Sequence, residues 1–116
     1  KQRLRVGRGL TALPVADEEQ TYWVDHDLVI ALRGSRVVWR RRLGQDVVRG
    51  LGLGASSLLA VRKDGLLCAM SRRAGVLLWR TPLGEGAASF CTVPQSISGM
   101  VLVVLGDRGT VWAVEE

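Results

Sequence analysis

The feature that most constrains this chain is a stretch that occurs twice. Ala69 to Gly84 reads Ala-Met-Ser-Arg-Arg-Ala-Gly-Val-Leu-Leu-Trp-Arg-Thr-Pro-Leu-Gly. A shorter version runs from Ala31 to Gly44, with Trp39 in the place of Trp79 and Leu43-Gly44 in the place of Leu83-Gly84. Gly44 and Gly84 are 40 residues apart, and Val6-Gly7 repeats the closing pair 37 residues before Gly44. Each copy is an apolar run, a break and a second apolar run. In the longer copy the break is Ala74-Gly75, a turn signal because Gly adopts left-handed backbone at no steric cost. A unit of this length cannot bury its apolar face alone, so it must stack on its neighbours.

Taken in order, the chain reads as strands and turns throughout. Leu10 to Val15 is a short strand, limited by Pro14, which cannot donate to a ladder. Asp17 to Gln20 is a polar turn. The β-branched and aromatic run Thr21-Tyr22-Trp23-Val24 argues for a strand over 20–25 rather than a capped helix. Asp25-His26-Asp27 turns into Leu28 to Leu32, and Gly34-Ser35 turns into a strand over 37–41. Asp46 to Leu53 is Gly-rich and suits a crowded axis. Leu58 to Arg62 and Leu66 to Met70 flank Lys63-Asp64-Gly65, and Asp-Gly between apolar runs is the strongest short hairpin signal here. Val76 to Arg80 follows. Ala87 to Val93, a loop over 94–99, Met100 to Leu105, the turn Asp107-Arg108-Gly109 and Thr110 to Val114 complete the pattern. No stretch longer than about two turns has a helical stripe that beats the strand reading.

Short strands with a turn signal at each gap mean an all-β fold. Repeats near 40 residues built only of strands mean antiparallel four-stranded blades of a β-propeller. The expected units are about 8–44, 45–84 and 85–116, with 1–7 as the remnant of an outer strand. That makes about three blades, an incomplete ring, since propellers typically close with four to eight. Isolated blades would expose sheet faces to water, an aggregation hazard. The chain is therefore expected to be one segment of a larger propeller, completed by a parent chain, a second copy of itself giving six blades, or another subunit. A start at Lys1 without Met fits a processed product or a piece of something longer.

Composition narrows the function classes. The 116 residues carry 16 Lys and Arg against 11 Asp and Glu, a net charge of +5 that favours acidic partners without marking a nucleic-acid binder, which needs its charge gathered on one face. No run approaches a membrane helix, and Lys-Gln-Arg-Leu-Arg is not followed by the apolar core of a signal peptide. Cys68 and Cys91 sit inside apolar runs and read as small buried hydrophobes, which leans toward an intracellular, reducing compartment. Two Cys and one His make no zinc set.

Residues 69–79 resemble the tryptophan-docking motif of quinoprotein-type (PQQ-like) β-propeller repeats: Ala, any residue, Asp, three residues, Gly, Lys, two residues, Trp. Ala69, Gly75 and Trp79 are in register, with Ser71 where Asp is usual and Val76 where Lys is usual. The first unit keeps Ala31 and Trp39 with a turn two residues shorter, and the third keeps Ala113, with Glu115 in the Asp position. WD-like propellers share the period and the late Trp, but their Gly-His and Trp-Asp pairs are absent. The resemblance implies that each Trp docks between neighbouring blades, against the backbone of the next one. From the residue alone, a Trp on a strand buries a large apolar area while its N–H seeks a carbonyl.

The remaining candidates are few. Arg40, Arg41 and Arg42, joined by Arg72 and Arg73, form an expected basic rim for an acidic partner, with Arg40 and Arg42 pointing one way and Arg41 the other. The competing reading is a charged outer edge that resists aggregation. Asp25-His26-Asp27 has the look of a metal or relay cluster but reads better as a polar turn. Gly50-Leu51-Gly52-Leu53-Gly54 is followed by a strand rather than the helix a phosphate loop needs. No catalytic, cofactor or metal residue is expected. The reading is a non-catalytic scaffold for protein–protein interaction within a larger protein or multi-subunit assembly, its rigid blades displaying loops such as 17–20 and 94–99 to a partner. The alternatives are a fragment of a quinoprotein enzyme with its active site elsewhere, and a basic-faced nucleic-acid binder, which is disfavoured. Trp79→Ala is expected to cost about 3–5 kcal/mol and Arg41→Ala almost nothing.

Overall fold

The computed structural model describes residues 12–44, 46–54, 56–95 and 99–115. The expected outer strand at 1–7 lies outside them. Among the described residues there is no helix. Eleven strands form three antiparallel sheets. The first sheet orders β1 (Val15–Ala16), β2 (Thr21–Asp25), β3 (Leu28–Arg33) and β4 (Arg36–Arg42) side by side. The second does the same with β5 (Val48–Leu53), β6 (Ser57–Arg62), β7 (Leu66–Ser71) and β8 (Leu77–Pro82). The third holds β9 (Ala87–Gln95), β10 (Gly99–Gly106) and β11 (Val111–Glu115). These are the antiparallel blades of an incomplete β-propeller.

The repeat seen in the sequence is a repeat in register. Ala31 pairs with Trp39 and Ala69 with Trp79, and in both sheets the ladder slips immediately after that pair. The slip is a β-bulge, which adds twist to the outer strand at the residue that carries the Trp.

Two expectations shift at prolines. The first strand covers Val15–Ala16, with 12–14 outside it and 10–11 of the expected strand outside the described residues; its ladder begins just beyond Pro14 and pairs Val15 with Tyr22. The strand from Ala87 runs on through Pro94 to Gln95, where a loop was expected, with Pro94 opposite Met100. β9 is a sheet edge, and so is β8, which ends on Pro82, so a missing N–H costs no ladder bond there.

The second sheet is covered on both faces. Leu58 and Ala60 pack with Tyr22, Val24, Val29 and Trp39 of the first sheet, while Leu59 and Val61 pack with Ala87 and Val104 of the third. This is why β6 is an unbroken buried run instead of an alternating one. Backbone hydrogen bonds stitch the sheets together near these cores. Val48 N donates to His26 O (2.7 Å) across the first seam and Ala87 N to Lys63 O (3.0 Å) across the second, while Lys63 N to Val47 O (2.8 Å) and Asp107 N to Gly86 O (2.8 Å) extend the ladders within the second and third sheets.

Candidate functional site

The best-built feature outside the sheets is the seam between the first and second blades. Trp39, only 8% exposed, is directed across it by its place opposite Ala31. Its Nε1 donates to the carbonyl of Arg72 at 2.7 Å, and a Cβ built on Gly75 would lie 2.5 Å from its Cε3. Gly75 has φ +69°, so both its backbone and the ring above it demand glycine. The motif glycine of one blade is therefore the seat for the Trp of the blade before it. The Trp39 and Tyr22 rings lie 6.3 Å apart at a tilt of 42°, in the favoured range for aromatic pairs.

A polar network completes the lock. Buried Gln20 donates through Nε2 to the same Arg72 carbonyl (2.8 Å) and to the Tyr22 hydroxyl (3.2 Å). That carbonyl thus accepts two bonds, the capacity of its lone pairs. The Arg72 guanidinium donates to Gly54 O (2.5 Å) and Ser57 O (3.3 Å) and lies 3.7 Å from Asp17. Asp17 accepts from the backbone amides of Glu19 and Gln20 (2.8 Å each) and from the Tyr22 hydroxyl (2.6 Å). Burial pushes the Asp17 carboxyl up, but the Tyr22 hydroxyl, the two amides and the Arg72 charge outweigh it and hold it below the usual carboxylate range. Burial first, and then the Asp17 carboxylate, push the Tyr22 phenol well above its ordinary value.

The five arginines singled out from the sequence divide sharply. Arg41 is half-buried and donates through Nε to the Gly75 carbonyl, so the expectation that its removal is neutral does not stand. Arg72 is the centre of the lock. Arg42 pairs with Asp27 at 2.8 Å. Arg40 and Arg73 are exposed. Asp17 and Gln20 lie in the loop 17–20 expected to face a partner, whereas their bonds to Tyr22 and Arg72 had one hint in the sequence, a run of acids and Gln directly before an aromatic strand.

Along this seam runs an open groove. Its inner part, about 700 Å³, is lined by the Asp17–Gln20 turn, Tyr22, Leu53, Ser56 and the Ser71–Arg73 turn. Its outer part, about 580 Å³, shares Glu19, Gln20 and Arg73 and adds Arg33, Arg36, Val37 and Val38.

The other candidates resolve into structure. His26, at φ +57° in its hairpin turn, is exposed and bonded to Asp25 at 2.8 Å. The glycine run is strand β5, and β6 follows it. Cys68 is a buried free thiol whose ionisation burial opposes; the Cys91 side chain lies outside the described residues. No group of three His, Cys, Asp or Glu that could hold a metal occurs among the described residues. The innermost strands β1, β5 and β9 carry Arg49 as their only Arg, Lys, Asp or Glu. They do not fit a quinone with its metal.

The family described as outer membrane protein assembly factor BamB matches residues 3–116. No curated protein sequence matches the chain. Among solved structures it is similar to BamB from Moraxella catarrhalis, at 19% identity and TM-score 0.74, over 91% of this chain and 32% of that one. It is also similar to Saccharomyces cerevisiae Sqt1, at 16% identity and TM-score 0.73, over 92% of this chain and 32% of that one. A third is the quinohemoprotein alcohol dehydrogenase of Comamonas testosteroni, at 18% identity and TM-score 0.60, over 91% of this chain and 21% of that one. The chain spans a third or less of the length of these structures. At such identities the likeness shows the propeller fold, which dehydrogenases and other proteins share.

Proposed function

This chain belongs to the PQQ-like β-propeller repeat family described as outer membrane protein assembly factor BamB, and from that premise we propose that it is a propeller segment serving as a protein-interaction scaffold within a larger protein or assembly. One observation carries the reading. Polar side chains of the first blade are bonded to the backbone of the second, which leaves a rigid frame, and the frame's margin carries exposed Arg73 beside exposed Val37 and Val38. That is the chemistry of a contact surface held by a rigid scaffold. Similarity to longer propellers, of which the chain spans about a third, supports a ring completed by further blades.

A photo-crosslinking amino acid placed at position 36, 38 or 73 in cells tests this. Adducts to one defined protein at these positions, and none at Arg49 on the inner strand, are the expected result. Absence of any protein adduct, together with dye-linked alcohol oxidation on adding quinone and calcium, would replace the reading with that of a quinoprotein enzyme.

A further inference from the structure

We infer that the outer part of the seam groove binds an extended acidic peptide segment that carries an apolar residue beside its carboxylates. This rests on the scaffold reading and names the partner's chemistry. Arg33 is engaged by Glu19 at 3.1 Å, while Arg36 and Arg73 add two further positive charges to the same groove. Between them lie Val37 and Val38, 39% and 42% exposed on an edge strand. A carboxylate meets the two arginines while its apolar neighbour covers the valines.

The shape selects an extended occupant. A strand spans about 3.3 Å per residue against about 1.5 Å for a helix, so a few extended residues reach along both parts of the groove. A strand-like segment runs on from the outer part into the inner one, which shares Glu19, Gln20 and Arg73 with it. The charge pattern selects peptide over nucleic acid: Asp17, Glu18 and Glu19 line the inner part, where a continuous phosphate backbone meets like charge but the uncharged residues that follow a peptide's carboxylates do not. The walls are already fixed by the Trp39 and Arg72 contacts, so binding orders little.

The test is selection of random 12-residue peptides on the full chain, followed by fluorescence anisotropy of the enriched peptides. Enriched sequences should place Asp or Glu beside Leu, Ile, Val or Phe. Their affinity should fall about tenfold or more, a difference of about 1.4 kcal/mol or more, in Arg73→Glu and in Val38→Asp. It should hold in Arg80→Ala, an exposed residue outside the groove. Arg36→Glu repeats the test at a second exposed position. Enrichment of basic or uncharged peptides, no enrichment, indifference to the groove variants, or tighter binding of a 12-nucleotide oligouridine would each overturn the inference. If protein adducts at the seam persist in Arg73→Glu and Val38→Asp, the groove inference fails while the scaffold reading stands. If no adduct forms at all, the scaffold reading fails first.

Discussion

The seam between the first and second blades and the seam between the second and third share half of their construction. Both have a backbone hydrogen bond from the inner strand to a hairpin turn of the preceding blade, Val48 N to His26 O and Ala87 N to Lys63 O, at equivalent positions. Leu43 N to Asp27 O and Leu83 N to Gly65 O, both 2.9 Å, repeat the closure of the outer strand in each blade. The outer half differs. Trp39 is buried, bonded to Arg72 O and seated on Gly75. Trp79 is half-buried and packs with the cluster of Leu59, Val61 and Val104. Carrying Ala69 onto Ala113 places the counterpart of Arg72 at Glu116, outside the described residues. A blade seam is thus two devices: a backbone stitch near the axis that any sequence can make, and a Trp lock farther out that needs a particular turn in the next blade.

The comparison can be broken most directly at the two tryptophans. Trp39→Ala should cost about 3–5 kcal/mol in urea denaturation, while Trp79→Ala, for which the sequence suggests the same loss, should cost about 1–3 kcal/mol because its ring is only half-buried. Equal losses would mean that the lock adds nothing to the stitch. Gly75→Ala comes next, at about 2–4 kcal/mol, because a left-handed backbone and a methyl pressed into the Trp39 ring act together. Gly84→Ala shares the positive φ, +86°, but meets nothing within 4 Å, so it should cost only about 1 kcal/mol. Thermal melts of the pair separate backbone strain from the seat itself.

Arg72→Ala should cost about 1–3 kcal/mol by removing the donor that reaches the Gly54 carbonyl and the charge beside Asp17. Acid should loosen the same network. The Asp17 carboxyl is held below its ordinary value in the folded chain, so its contribution is complete above about pH 4 and is lost as pH falls through the depressed folded value. Stability measured down a pH series should therefore drop less steeply in Asp17→Asn than in the unaltered chain. The smallest contrast lies within the arginine run: Arg41→Ala should cost about 1 kcal/mol through the lost bond to Gly75 O, and exposed Arg40→Ala less than about 0.5 kcal/mol. Identical melting curves would remove Arg41 from the lock.

Much of the fold was legible because its signals are local. Lys63-Asp64-Gly65 between two apolar runs gives a hairpin by turn chemistry alone, and it is one. The alternation of Arg40, Arg41 and Arg42 put Arg41 on the opposite face from its neighbours, and it turns toward the second blade. What lay out of reach was where Arg41 and Arg72 go. Each donates to a main-chain carbonyl, Gly75 O or Gly54 O, and a carbonyl is the same group in every residue. Pro14 and Pro94 moved strand limits although β1 and β9 are both edges: where a ladder starts and stops beside a proline is set by the register against the neighbouring strand.

By itself, the sequence determined the strands, their turns, the repeat and the positions of the anchoring tryptophans. These follow from side-chain alternation, turn residues and spacing, all properties of a few neighbouring residues. Only the tertiary structure decided that Trp39 belongs to Gly75, that Arg72 is a structural hub, and that Arg36, Val37, Val38 and Arg73 line one groove. The pairs that cross the seam join residues 33 positions or more apart, as Trp39 and Arg72 are. Their partners are set by how one twisted sheet stacks on the next, a geometry that no local stretch of sequence encodes.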